Sequence, residues 1–146
     1  MSRLKWAAVV LILAACPARG EMARIEAAAH IASERYGVDK TLILAVIQVE
    51  SGFDPYAIGG IGEVGLMQLR PEMHECASFN ILENVLCGTR YLATVKQRCK
   101  PKYGNLWFVC YNRGPNAPIL NYPERFPYVA KVLQVKKNMQ RVNFFH

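Results

Sequence analysis

One helix-length segment constrains the fold more than any other. Asp39 is a natural N-cap, and Gly52 is a natural stop. Between them, Leu42, Ile43, Val46, Ile47 and Val49 cover most of a helix circumference with apolar side chains. A helix apolar nearly all round must be enclosed by other elements. Further stripes can supply them. Met22, Ile25, Ala28, Ala29 and Ala32 form one, closed by Gly37. A second helix is expected from Asn84 to about Arg98, with Val85, Leu86, Leu92, Ala93 and Val95 inward. Asn105 is expected to cap a short helix through Leu106, Val109 and Cys110, and a last helix starts near Tyr128 and carries Val129, Val132, Leu133 and Met139. Residues 53–66, with Pro55, Gly59, Gly60, Gly62 and Gly65, form a loop, and Pro115, Pro118, Pro123 and Pro127 break a later stretch. No alternating strand pattern occurs. The expectation is a mainly α fold, one domain over residues 21–146.

Glu50 is the outlier in the apolar helix. It continues the line of Ile43 and Ile47 at the helix C-terminus. Burial disfavours a charged carboxylate, and the negative end of the helix dipole acts in the same direction. A carboxyl so placed keeps its proton near neutral pH and suits general-acid chemistry; the alternative is a glutamate at a solvated helix end. Downstream, Gly62-x-x-Gly65-Leu66-Met67-Gln68 lets backbone approach a ligand and offers an amide. Tyr111-Asn112 adds a phenol and a second amide before the Gly114-Pro115 turn. Aromatic faces and amides beside a carboxyl group match the needs of a sugar polymer.

Residues 1–20 are expected to be an export leader. Arg3 and Lys5 precede the apolar stretch from Trp6 to Ala15, which is shorter than the roughly 18–20 residues of a membrane span. Ala18-Arg19-Gly20 offers cleavage before Glu21, whereas Leu13-Ala14-Ala15-Cys16 resembles a lipobox that would place a lipid on Cys16. A single membrane-bound leader helix is a weaker third choice. Any of these leads to an exported, periplasmic domain, soluble or lipid-anchored. Cys76, Cys87, Cys99 and Cys110 then form an even set in an oxidising compartment. Three pairings are open; the sequence-local pairs Cys76–Cys87 and Cys99–Cys110 are preferred over the others and over four buried thiols. The scattered His30, His74 and His146 and the lack of Cys-x-x-Cys give no metal set, and no cofactor is expected.

The formal charge of +7 is unevenly placed: the acids lie mainly before residue 84, and only Glu124 stands among the bases after it. The basic half could meet an anionic polymer such as nucleic acid, a membrane surface or peptide carboxylates. On charge alone a solvated face is the preferred reading.

Several motifs together resemble the soluble lytic transglycosylase domain, a family of the lysozyme-like superfamily. They are Tyr36-Gly37-Val38-Asp39, Leu44-Ala45-Val46-Ile47, Glu50-Ser51-Gly52-Phe53, Gly65-Leu66-Met67-Gln68-Leu69-x-Pro71, Asn84-x-x-x-Gly88-Thr89-x-Tyr91-Leu92, Tyr111-Asn112-x-Gly114-Pro115 and Tyr128-Val129-x-x-Val132. The resemblance is collinear over about residues 22–133. It implies a lysozyme-like, mainly α domain with a substrate cleft. It also implies cleavage of the β-1,4 bond between N-acetylmuramic acid and N-acetylglucosamine in peptidoglycan glycan strands, leaving 1,6-anhydromuramic ends, without nucleic acid, metal or cofactor.

Under the resemblance, Glu50 is the single catalytic acid/base and Ser51 supports its helix end. Met67 and Gln68 line the sugar cleft, Tyr111 contacts Glu50 or the adjacent sugar, and Asn112 holds the cleft wall. Three residues depart from the family pattern: Glu63 stands in place of a small residue, and Cys110 and Arg113 replace the alanines flanking Tyr-Asn. Two alternatives stand beside this reading. A muramidase-type hydrolase needs Asp54 or Glu63 as a second carboxylate, and a non-catalytic peptidoglycan-binding module needs none. A domain of this size suits a wall-spanning secretion, conjugation or pilus apparatus, with residues 134–146 as a candidate contact or a solvated terminal helix.

Overall fold

A computed structural model describes residues 18–143. Residues 1–17 of the expected leader, with the lipobox pattern at Cys16, lie outside them, and the Gly20/Glu21 junction falls within the first turn of the first helix. Five helices follow in order: α1 (Arg19–Tyr36), α2 (Lys40–Ser51), α3 (Ile81–Tyr103), α4 (Val109–Arg113) and α5 (Pro127–Asn143). Short 3-10 turns occupy Gly104–Leu106 and Pro123–Arg125. The domain is mainly α, as the apolar periodicities require.

α2 is the centre. Leu42, Ile43, Ala45, Val46 and Ile47 are all buried. Asp39 caps it, its side chain accepting from Thr41 N–H at 3.2 Å, and Gly52 closes it at φ 61°. The same Asp39 pairs with Lys136 Nζ at 2.9 Å, which ties the start of α2 to α5. α1 buries Ile25, Ala28, Ala29 and Ala32, and its small residues let it lie close on α3 while α2 packs on α5.

α3 differs from its expected bounds at both ends. It starts at Ile81 rather than Asn84, and Asn80 caps it, accepting from Glu83 N–H at 3.1 Å. The helix runs on through Pro101 to Tyr103. Proline this near a helix end removes only one late hydrogen bond, and the buried Cys99 and Tyr103 hold the last turn in the core. The Asn105 region forms a 3-10 turn, and α4 starts only at Val109. The loop after α2 doubles back through isolated antiparallel bridges, Ile58 to Val64 and Val64 to Leu69. Single bridges have no period, so no alternating pattern announces them.

Two disulfides join Cys76 to Cys87 and Cys99 to Cys110. Their Cα separations are 5.8 and 6.6 Å, within the ordinary range. The first ties the segment before α3 to that helix; the second ties α3 to α4 beside Tyr111.

Candidate active site

Glu50 opens on a cleft of about 300 Å³ formed by the end of α2, the loop 61–74, α3 and α4. Its helix position makes it the last side chain of an otherwise buried face. Burial pushes its pKa up from 4.5 to about 7. Tyr128, from α5, draws it back down, and the negative charge of Glu63 pushes it up further. The Tyr128 hydroxyl is buried near Glu50 and makes no well-formed hydrogen bond among the described residues. Its influence on Glu50 is therefore that of a nearby dipole short of a formed hydrogen bond. Burial and Glu50 together hold Tyr128 far from ionisation.

The loop that faces Glu50 is built by a side chain from α3. Asn84 is buried, and its Oδ1 accepts from Met67 N–H at 2.8 Å. Its Nδ2 donates to Ser78 O at 2.7 Å and to Val64 O at 3.1 Å. One amide thus fixes three strands of irregular backbone. Gly88 lets this loop reach α3, since a Cβ there would overlap the Met67 side chain. Gln68 is held at φ 48°, a left-handed conformation costly for a residue with a side chain. Its Nε2 donates to Gly65 O at 2.9 Å and to Ala57 O at 3.2 Å, so the amide faces the cleft in one orientation.

Tyr111 forms the opposite wall. Its hydroxyl donates to Met67 O at 2.7 Å, and burial beside Glu50 and Tyr91 raises its pKa well above the ordinary phenol value. Its ring meets Tyr91 at 5.4 Å between centroids, and Tyr91 meets His74 edge-on at 4.8 Å. This aromatic row, with Asn112, Arg113 and Gly114, completes the wall. Burial, helped by the Arg90 charge, lowers the His74 pKa and keeps the imidazole neutral.

The structure brings Glu50, Gln68, Tyr111 and Asn112 to one cleft. Met67 is a correction. Its side chain is fully buried against Gly88 and Thr89, and only its backbone serves the site, through Asn84 and Tyr111. Ser51 does not line the cleft; its hydroxyl donates to Ile47 O at 3.1 Å and closes the last turn of α2 beneath Glu50. Of the two candidate second carboxylates, Glu63 lines the cleft, its Oε2 accepting from Ile61 N–H at 3.0 Å. Asp54 does not: its carboxylate accepts from Tyr56 N–H at 2.8 Å and serves the loop. The clamp role of Asn84, the proximity of Tyr128 to Glu50 and the place of His74 beside Tyr91 had no local signal, because each depends on residues distant in the chain.

The family called Transglycosylase SLT domain matches residues 27–121. A segment of 38 residues is 58% identical to a membrane-bound lytic murein transglycosylase C of Serratia proteamaculans, covering 26% of this chain and 11% of that protein. The corresponding enzyme of Edwardsiella ictaluri is 60% identical over 38 residues, with the same coverage. The match therefore spans about a tenth of the length of these curated relatives. In fold, the chain is similar to an inactive mutant of the lytic transglycosylase Slt from Pseudomonas aeruginosa. That comparison has a TM-score of 0.64 at 22% identity and covers 80% of this chain and 24% of that one. With the family matching most of the helical domain, from α1 to beyond α4, this chain belongs to the SLT transglycosylase-domain family.

Proposed function

We propose that this domain is a peptidoglycan lytic transglycosylase. The observation that carries the reading is Glu50, a carboxyl with a pKa of about 7 that faces a cleft of fixed amides and aromatic rings. Protonated Glu50 gives its proton to the oxygen bridging muramic acid and glucosamine, and the bond from that oxygen to the muramic C1 breaks. The positive charge that grows on C1 and the ring oxygen is assisted by the sugar's N-acetyl group. The 6-hydroxyl of the same sugar then closes on C1, and its proton returns to the Glu50 carboxylate. A nucleophile within the substrate reacts at a high effective concentration, so no second carboxylate or positioned water is needed. Gln68, its N–H groups engaged by Ala57 and Gly65, offers its amide oxygen to sugar hydroxyl and N-acetyl N–H groups, Asn112 offers a second amide, and Tyr91 offers a flat face.

Glu63 favours one second reading. A carboxylate in the same cleft as Glu50 is what a muramidase-type hydrolase requires. Product analysis of digested peptidoglycan separates the possibilities: anhydro ends support the transglycosylase, new reducing ends the hydrolase, and no release a binding module.

The curated relatives carry "membrane-bound" in their names. Together with the leader pattern, this supports export to the periplasm. Among the described residues no helix is long and apolar enough to cross a membrane. Mass spectrometry of the mature N-terminus distinguishes a lipid on Cys16 from a free Glu21. We further propose that such an enzyme opens the wall for a secretion, conjugation or pilus apparatus. For a contact with such an apparatus through α5, Lys137 and Arg141 are better suited than Lys136, which is engaged by Asp39.

A further inference from the structure

Three basic side chains stand in the cleft wall: Arg70, His74 and Arg113. Arg70 is compensated, its Nε donating to Glu72 Oε1 at 2.7 Å. His74 is neutral, for the reasons given above. Arg113 is neither. It is half-buried, its Nη1 donates to Pro118 O at 2.7 Å, and its guanidinium lies 5.5 Å from the centre of the Phe126 ring. Among the described residues it has no ion-pair partner. Nor does it act on the catalytic centre, since the groups that shift Glu50 are Tyr128 and Glu63, besides burial itself. A guanidinium fixed by a carbonyl and an aromatic face, with N–H groups to spare at a cleft, is preorganised for a planar anion.

We propose that Arg113 binds a carboxylate of the peptide stem carried by the muramic acid residues, so that the cleft distinguishes stem-bearing glycan from bare sugar. The inference rests on the peptidoglycan reading above. The acetylated sugars of an intact strand carry no charge, and the stems carry carboxylates. Removing a stem with an amidase leaves a second source of the same chemistry, the lactyl carboxylate.

The test measures binding in a Glu50→Gln background, which prevents turnover, with Arg113→Gln and Arg113→Lys compared against the parent. Arg113→Gln keeps a donor for Pro118 O and loses the charge. Three probes are used: stem-bearing glycan strands, strands stripped by an amidase, and a neutral N-acetylglucosamine oligosaccharide. The affinity of Arg113→Gln for stem-bearing strands should fall relative to the neutral oligosaccharide by roughly 10–100-fold, the range for losing one charged hydrogen-bonded partner. Arg113→Lys should recover part of that loss, and added salt should narrow the difference. A parallel fall for all three probes would show a structural role and overturn the proposal. So would unchanged affinities, or a loss greatest on stripped strands, which would assign the lactyl carboxylate instead. The products of the wild-type enzyme are measured separately. Stem-selective binding without anhydro ends would refute the transglycosylase reading and leave the Arg113 subsite standing.

Discussion

Glu50 keeps its proton because burial raises its pKa, Glu63 raises it further and Tyr128 only partly offsets them. Replacing Glu50 with Gln keeps the shape and removes the transferable proton. Turnover should fall by at least the ~10²–10⁴-fold associated with a lost acid/base, with the circular dichroism spectrum unchanged. Wild-type cleavage should decline as pH rises through about 7, where Glu50 loses its proton. The same shift affects stability. The folded-state pKa lies above the unfolded value, so the contribution of Glu50 is full below pH 4.5 and is lost as pH rises through about 7. At pH 8 the buried carboxylate should destabilise the fold by up to about 3 kcal/mol. Glu50→Gln should therefore gain stability over wild type at pH 8 but not at pH 4, which denaturant titration at the two pH values can read. Tyr128→Phe removes the group that draws the Glu50 pKa down, so the alkaline limb of the rate profile should move to higher pH. It also removes a buried hydroxyl without a partner, so the fold should not weaken. A limb that moves downward would mean that Tyr128 stabilises the protonated carboxyl instead.

Among the elements, α2 was the most legible because its signals are local. A capping aspartate, a stripe and a closing glycine all lie within one helix. α3 was legible in its middle and misplaced at its ends, since Pro101 would halt a helix that lacked buried anchors behind it. Asn84 illustrates the difference. Local rules make an asparagine before an apolar run a cap, yet this one sits inside α3 and reaches loop backbone far away in sequence. Met67 failed for the same reason: its motif marks the cleft, but the gap at Gly88 draws its side chain into the core. Asn84→Ala would strand a buried N–H and withdraw the donor from two carbonyls. The loss should be about 3–5 kcal/mol, large for one side chain. Asn84→Asp retains the acceptor for Met67 N–H but turns a buried carboxylate oxygen toward two carbonyls, so at neutral pH it should lose at least as much and recover part of the loss in acid, where the carboxyl can donate. Denaturant midpoints give the order, and cleavage rates should follow it as Gln68 is released from its strained backbone.

Across the whole molecule, both disulfides adjoin cleft residues in sequence, Cys76 following His74 and Cys110 preceding Tyr111. Each closes a short loop, and removing a native disulfide from a small exported domain typically costs about 2–5 kcal/mol. Reduction should therefore lower the melting temperature and reduce cleavage together. Counting thiols in denatured, unreduced protein from its native compartment tests the premise, and four free thiols would remove it. Glu50 has a further property that concerns timing. It comes from α2, and the phenol beside it comes from α5, the last of the described helices to be synthesised. Until α5 docks, α2 lacks its main packing partner and Glu50 remains open to water with the acidity of an ordinary glutamate. Before that docking the chain consequently has the residue without its reactivity, which arrives only when α2 and α5 have met.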